Sequence, residues 1–417
     1  MTYQQTLEWL FSQLPVFQRV GKSAYKANLD NTYALMEVLG QPHKAFKSVH
    51  IAGTNGKGST AHMLASVYQE AGFKTGLYTS PHLRDFRERI RINGEMISEE
   101  EVVAFVASHR EDFQDIKPSF FEMTVGMAFA YFAQEEVDIA VIETGLGGRL
   151  DSTNIILPEL SVITNIAKDH MQFLGNTLEA IAGEKAGIIK NGVSVVIGEH
   201  QPKTDKVFIE KAKDETTSIF FAQDEYSAKW ENGVLLIYHH EECLMTLDFP
   251  LKGHYQLKNV ATAVCAAQQL GLPLESIKKG LQNVVINTSL AGRWQQLSEQ
   301  PPVICDTAHN YEGLQQVMLQ LAEMTYQQLH FVLSVVDDKE LDHILELFPK
   351  DARYYFCKAN IPRGLAVEVL SEQAHKSGLQ GQSYQSVNEA YMAAVRNCQE
   401  GDLVFIGGST FTVAEVV

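Results

Sequence analysis

Several things are scarce in this chain, and each scarcity excludes something. Its 417 residues hold five cysteines, Cys243, Cys265, Cys305, Cys357 and Cys398, scattered and with no CxxC pair. That excludes a zinc-binding spacing and a disulfide framework, and leads to the expectation of reduced thiols in a cytoplasmic protein. Basic residues are few beside acidic ones, 34 Lys and Arg against 51 Asp and Glu, for a formal net charge of −17. Nucleic-acid binders present a basic surface, so no nucleic-acid partner is expected, and an anionic ligand must be held by local positive charge. No apolar run reaches the length of a membrane span, so no membrane partner is expected. The start MTYQQTLEWLFSQLP lacks a basic leader and a signal-like core, and reads as an amphipathic surface helix. No G-x-G-x-x-G follows a strand, and no repeat or low-complexity segment stands out.

What remains is an ordinary globular composition, 45% hydrophobic and 20% charged, long enough for two or three domains. Within it, VHIAGTNGKGSTAHMLASVYQEAGF is the most informative run. A β-branched segment ending near Ile51 meets the glycine-rich turn Gly53 to Ser59, and a helical pattern follows. Strand, glycine loop and helix form the context in which backbone N–H groups and a helix N-terminus cradle phosphate. Lys57 would reach the outer phosphates, and the hydroxyl of Ser59 or Thr60 would face Mg²⁺. The spacing departs from Gly-x₄-Gly-Lys-Ser/Thr: only Thr54 and Asn55 separate Gly53 from Gly56-Lys57, and Gly58 follows the lysine. A plain βα turn that binds nothing is the alternative.

The first half alternates β-like and helical segments, as a parallel sheet would. KTGLYTS reads as the next strand, Phe120 to Phe132 as an apolar helix, and VDIAVIETG and LSVITNI as buried parallel strands. RERIRI places Arg87, Arg89 and Arg91 at period two, as on one strand face. Residues 200 to 250 read as a polar, β-rich hairpin insertion. A boundary near Gly292 would separate residues 1–292, an ATP-binding P-loop domain with a central, mostly parallel sheet, from residues 293–417, a smaller Rossmann-like α/β domain.

Four polar clusters sit where strands end, which is where α/β sheets place ligands. Thr79-Ser80-Pro81-His82 offers a hydroxyl for a cation, or simply a turn. Glu143, opening Glu143-Thr144-Gly145-Leu146-Gly147-Gly148-Arg149, is a carboxylate too costly to bury without a cation or hydrogen bonds, so it suits Mg²⁺ or a structural ion pair. His170 ends Asn165-Ile166-Ala167-Lys168-Asp169-His170, and binds metal or serves structure. Lys185, in Gly183-Glu184-Lys185-Ala186-Gly187, either pairs with an acid or sits buried with a depressed pKa, open to covalent chemistry.

GTNGKGS, YTSPHL, RERIRING, VIETGLGGRLDSTN, SVITNIAKDHMQFLGNTLEAIAGEKAGIIK, GRW and CDTAHN together resemble folylpolyglutamate synthase/dihydrofolate synthase, a family of the Mur ligase superfamily. The match runs in order from about Leu29 to the final VFIGGSTFTVAEV, and in the superfamily the compressed loop is the norm. The resemblance implies an ATP-dependent ligase that adds L-glutamate to dihydropteroate, reduced folates or both through an acyl phosphate. It implies ATP, two Mg²⁺ ions, a monovalent cation as a further candidate, and a monomer acting on small molecules.

Roles carry over by resemblance, position by position. Asn55, Gly56, Lys57 and Gly58 would hold the phosphates, with Ser59 near magnesium. Ser80, Glu143 and His170 match metal ligands, and Lys185 matches a lysine carbamylated by CO₂ (N6-carboxylysine). Asn259 matches an adenine contact; Arg293 and Asp306 match nucleotide contacts, with His309 beside them. Leu29, Asp30 and Asn31, the segment Ser119, Phe120, Phe121 and Glu122, and Leu150, Asp151 and Ser152 align with pterin-contacting positions. Departures are Asp306-Thr307-Ala308-His309-Asn310 for a usual DGAHN, Ser119-Phe120-Phe121-Glu122 for a usual small or hydroxyl residue plus Tyr/Phe before FE, Tyr255-Gln256-Leu257-Lys258-Asn259-Val260 for HQ-x-x-NA, and Asp338-Lys339-Glu340 for DKD. None removes a phosphate or metal ligand. The alternatives are a peptidoglycan-type Mur ligase, which carries a substantial domain ahead of the loop where this chain has 52 residues, and a non-catalytic P-loop protein.

Overall fold

The structure is a computed structural model and describes residues 1–14, 28–337 and 341–417; the Asp338-Lys339-Glu340 departure lies outside them. The described residues divide into two compact units, Met1–Pro250 with Leu257–Leu290, and Leu251–Gln256 with Ala291–Val417.

The first unit is built on β1 (Lys47–Ala52), β2 (Thr75–Tyr78), β3 (Ile90–Ile92), β4 (Glu95–Met96), β5 (Ile139–Glu143), β6 (Leu160–Ile163), β7 (Val195–Ile197) and β8 (Ile219–Phe221). Their order is β4-β3-β2-β5-β1-β6-β7-β8, parallel from β2 to β8 and antiparallel at β3 and β4. Val49, Ile51, Val141, Ile142, Val162 and Ile163 are all buried, because helices cover both faces of a parallel sheet and leave no solvent side to alternate toward. One covering helix, Lys57–Glu70, starts directly from the loop after β1. Another, Phe120–Gln134, is apolar on nearly every side and packs Met123, Phe129 and Phe132 into the core. The N-terminal helix Tyr3–Gln13 carries a Thr2/Gln5 capping box and sinks Leu10 into the same core.

Two readings of the sequence need correction here. The RERIRI arginines do not share a strand face. Asp85 caps a 3₁₀ turn over Phe86–Arg89, with Glu88 returning a bond to Asp85 N–H, so only Ile90–Ile92 is strand. Arg87 pairs with Asp85 at 2.7 Å, Arg89 is buried, and Arg91 donates to Gly94 O at 3.0 Å. The polar insertion is a meander rather than a hairpin: β9 (Tyr226–Glu231), β10 (Val234–His239) and β11 (Glu242–Leu247) pair antiparallel. Asn232 and Gly233, both at positive φ, make the tight turn between the first two.

The second unit holds β12 (Gln295–Glu299), β13 (Pro302–Cys305), β14 (Leu329–Leu333), β15 (Arg353–Phe356), β16 (Gln380–Ser383) and β17 (Leu403–Gly407). The order is β12-β13-β17-β14-β15-β16, parallel except for β12, as a small Rossmann-like sheet requires. A single cut near Gly292 misses one feature: Leu251–Gln256 belongs to this unit. It is fastened there by Gln320, which accepts from His254 N–H at 2.7 Å and donates to Lys252 O at 3.0 Å, and by Tyr255 donating to Asp306 at 2.5 Å.

Candidate active site

In the first unit, β2, β5, β1 and β6 lie side by side and parallel, so the segments following them gather at one edge of the sheet. This brings together the glycine loop after β1, Ser80 after β2, Glu143 at the end of β5 and Thr164-Asn165 after β6. Chain topology alone thus assembles most of the candidate residues.

The loop after β1 is held from outside as much as from within. Thr54 N–H donates to Asn165 O at 2.9 Å, Asn55 N–H to the Asn165 side chain at 2.9 Å, and Thr164 Oγ1 to Asn55 O at 2.6 Å. Thr54 Oγ1 accepts from Ala167 N–H at 2.9 Å. Gly53 has φ +146°, and a Cβ there would fall 1.9 Å from Thr164 Oγ1, so no other residue fits this contact. Gly56, at φ +83°, opens the helix, and its missing Cβ makes room for the amide oxygen of Asn259. Lys258, next to Asn259, pairs with Glu199 at 2.6 Å, and Glu199 also accepts from Asn165 at 3.2 Å. Gln201 brackets Ile166 through its N–H and C=O. Glu199 and Gln201 carry no local motif, and only their long-range pairing reveals them.

Two lysines meet on this loop. Lys57 Nζ donates to Gly53 O and Thr54 O, both at 3.0 Å, and Lys185 Nζ donates to Gly53 O at 2.7 Å. Lys185 is buried and does not pair with Glu184, which instead binds Arg149 at 2.8 Å. Burial first, and the Lys57 charge second, push its pKa down to about 7, so a large share of the amine is neutral near neutral pH. In a chain of net charge −17, Lys57 supplies local positive charge on the loop itself.

Glu143 is buried at the end of β5, and its Oε2 accepts from Ser80 N–H at 3.1 Å. A magnesium site fits the donor set here. The carboxylate of Glu143 and the hydroxyls of Ser80 and Ser59 are hard oxygen donors, and the buried hydroxyls of Thr60 and Thr144, next in sequence to Ser59 and Glu143, have no partner of their own. His170 is half-exposed and sits at φ +49°, an uncommon conformation for a non-glycine residue that costs on the order of 1–3 kcal/mol and tends to mark functional positions. Among the described residues one cluster of three metal-capable groups, His330, Cys398 and Asp402, occurs elsewhere, in the second unit. There both ring nitrogens of His330 are already used, by Tyr355 at 2.8 Å and Asp402 at 3.1 Å, so that cluster is fully explained by structure.

The segments aligned with pterin contacts are locally well explained. Ser119 and Glu122 form a capping box at the start of the Phe120–Gln134 helix. Phe120 is buried against Phe11 and Phe86, with Arg89 over its ring at 5.5 Å, while Phe121 lies over Gly145. Arg89 donates to His82 Nδ1 at 2.8 Å. Asp151 is buried and accepts from Leu146 N–H at 2.8 Å, Thr153 N–H at 3.0 Å and Thr153 Oγ1 at 2.6 Å, organising the loop after β5. Ser152 is buried, whereas Leu150 is partly exposed. Leu29 precedes the helix Asp30–Val38, Asp30 is exposed and accepts from Asn28, and Asn31 donates to Lys117 O at 3.0 Å.

The second unit carries Arg293, Asp306 and His309. Asp306 is buried and accepts from Tyr255, from Trp294 N–H at 2.7 Å and from Ala308 N–H at 2.8 Å, which ties the GRW turn to the strand end of β13. Burial raises its pKa. Arg293 donates to Thr307 Oγ1, and His309 Nδ1 lies 3.1 Å from Thr307 O.

The chain is similar to known proteins along its whole length. Residues 51–267 match the Mur ligase middle domain and residues 292–410 the Mur ligase glutamate ligase domain. The dihydrofolate synthase/folylpolyglutamate synthase of Bacillus subtilis (strain 168) is 32% identical over 444 residues, spanning 99% of this chain and 98% of that protein. The E. coli FolC structure in complex with DHPP and ADP superposes with a TM-score of 0.89 at 29% identity, covering 100% of this chain and 97% of that one. The bifunctional folylpolyglutamate synthase/dihydrofolate synthase of Yersinia pestis CO92, complexed with AMPPNP and Mn ion, gives 0.86 at 30% identity, with 100% and 97% covered.

Proposed function

The chain belongs to the Mur ligase family, in its folylpolyglutamate/dihydrofolate synthase group, and from that footing we propose how its own residues carry the reaction. The activity is ATP-dependent ligation of glutamate to a folate-type carboxylate, with ATP and a divalent cation required. An oxygen of the acceptor carboxylate attacks the γ-phosphorus and ADP leaves. The glutamate amine then attacks the acyl carbon, and phosphate departs with the bridging oxygen. Side chains have little bond-making to do in such a transfer, so positioning and charge stabilisation dominate.

The observation that carries the residue-level reading is the convergence of Lys57 and Lys185 on the Gly53 carbonyl. With nucleotide bound, Lys57 exchanges its bonds to Gly53 O and Thr54 O for the outer phosphate oxygens, which Asn55, Gly56 and Gly58 help cradle. Ser59, Ser80, Glu143 and His170 would hold the cation, which neutralises phosphate charge when bound. The neutral amine of Lys185 forms an N–C bond to CO₂ and releases a proton to water. The resulting carbamate is anionic where the ammonium was cationic, and so favours a cation nearby. Asn259, beside Gly56, is the candidate adenine contact. The partly exposed Leu29, Asn31, Phe121 and Leu150 are candidate pterin contacts, backed by Ser119, Glu122, Asp151 and Ser152.

We read both dihydropteroate and reduced folates as acceptors, with the enzyme a cytoplasmic monomer; the five free cysteines support a reducing compartment. Assaying dihydropteroate and tetrahydrofolate side by side tests the acceptor range: turnover with both is expected, and turnover with one alone removes the other. Oxygen-18 in the acceptor carboxylate tests the intermediate. One label should pass into the released phosphate at each turnover, and unlabelled phosphate would rule out the acyl phosphate.

A further inference from the structure

A histidine stands in the middle of a buried apolar strand, where Val or Ile would be expected. His50 of β1 is wholly buried, three residues before the phosphate loop. Its Nε2 lies 2.8 Å from Thr153 Oγ1, and Thr153 Oγ1 lies 2.6 Å from Asp151 Oδ1. The carboxylate is an acceptor, so the Thr153 hydroxyl gives it its proton and must accept from His50. That fixes His50 as the neutral Nε2–H tautomer, with Nδ1 buried and without a partner. An orphaned buried acceptor costs about 1–3 kcal/mol, which an apolar residue would avoid, so the position has another use.

The chain of bonds leads to the loop after β5. Asp151 gathers the N–H groups of Leu146 and Thr153, and the backbone of Gly145 also bonds to it. Gly145 and Leu146 directly follow Glu143-Thr144, and Leu150 and Ser152 flank Asp151. From the other side, Asn154 donates to Arg149 O at 3.1 Å and Gly187 O at 3.0 Å, while Lys190 holds Asn154 O at 3.0 Å. The Gly145–Asn154 loop is therefore fixed at its rim by the lysine-bearing segment and at its base by the phosphate-loop strand.

We propose that His50 and Thr153 are positioning residues, whose bonds through Asp151 set the acceptor-binding loop in register with the phosphate loop. They touch neither nucleotide nor acceptor and act through Asp151. The inference rests on the acceptor role of this loop given above. It assigns Asp151 to holding the loop rather than to gripping the pterin.

Thr153→Val keeps the side chain's shape and removes only the relay, and Thr153→Ser restores the hydroxyl. With Thr153→Val the acceptor KM should rise on the order of tenfold, the loss of one buried charge-assisted bond, while the ATP KM stays unchanged, because Thr54 and Asn55 are anchored separately on Asn165. Thr153→Ser should return the acceptor KM close to that of the wild type. An unchanged acceptor KM in Thr153→Val, a lowered melting temperature with all kinetic constants intact, or no recovery in Thr153→Ser would each overturn the inference. Nitrogen-15 histidine NMR gives a reading independent of turnover. An Nε2–H signature for His50 in the wild type, lost in Thr153→Val, supports the relay, and an Nδ1–H signature refutes it. Absence of acceptor-dependent ADP release in the wild type would instead overturn the ligase reading and leave the NMR result to judge the relay.

Discussion

Lys185 and His50 are both buried titratable groups, and in each burial selects the neutral form. For Lys185 the shift from 10.5 to about 7 puts the free amine within reach of CO₂. Carbon-13 bicarbonate should therefore give a carbamate NMR signal that vanishes in Lys185→Ala and fades as the pH falls below about 7, where the ammonium takes over. A signal that persists in Lys185→Ala would come from another site. For His50 the pKa drops from 6.5 to about 3, through burial first and then the Lys190 charge. Above pH 6.5 the ring is neutral folded or unfolded, so its contribution to stability is fully present. As the pH falls the unfolded ring takes a proton that the folded one refuses, and stability is lost by up to about 1.4 kcal/mol per pH unit. Denaturant unfolding at pH 7 and pH 5 should show a smaller difference in His50→Gln than in the wild type; an equal difference would mean that His50 does not titrate this way.

Ser119 separates a structural role from a binding one at the scale of a single helix. It caps Phe120–Gln134 in a reciprocal box with Glu122. Ser119→Ala should cost about 1 kcal/mol, read as a lower melting temperature, with little change in acceptor KM. A large rise in acceptor KM at unchanged stability would return Ser119 to the pterin site. The S-x-x-E spacing is a local signature of such a cap, in residues that also match pterin-contacting positions by resemblance. The loop from Gly53 to Ser59 was legible because its signals are local: a β-branched strand, glycines and a helix start lie next to one another. The clusters at Ser80, Glu143 and Asn165 to His170 were legible for a more general reason, since parallel strands deliver their C-terminal ends to one edge. RERIRI misled because its alternation imitates a strand, while Asp85 and Glu88 satisfy the backbone of a 3₁₀ turn instead. Glu199, Gln201 and the excursion of Leu251–Gln256 could not be read at all. Each depends on a partner tens of residues away, and nothing in the local pattern announces it.

The whole molecule is an acidic protein that handles an acidic ligand, and Lys57 is the cation that its glycine loop itself carries. Such a design leans on added divalent cation to bring in a polyphosphate. Chelation with EDTA should abolish turnover, and Mg²⁺ or Mn²⁺ should restore it; full activity in chelator would contradict the assignment of Ser80, Glu143 and His170. The fold agrees across levels, with a phosphate loop on a parallel sheet in one unit and a Rossmann-like sheet in the other, and its central claim is the joining of glutamate to a folate-type acid. The most direct test is ADP release measured with ATP alone, with glutamate or acceptor omitted in turn, and with both present. The account predicts sustained release only when both are there, matched one for one by glutamylated product. Release that ignores either substrate, or none with both, would contradict it.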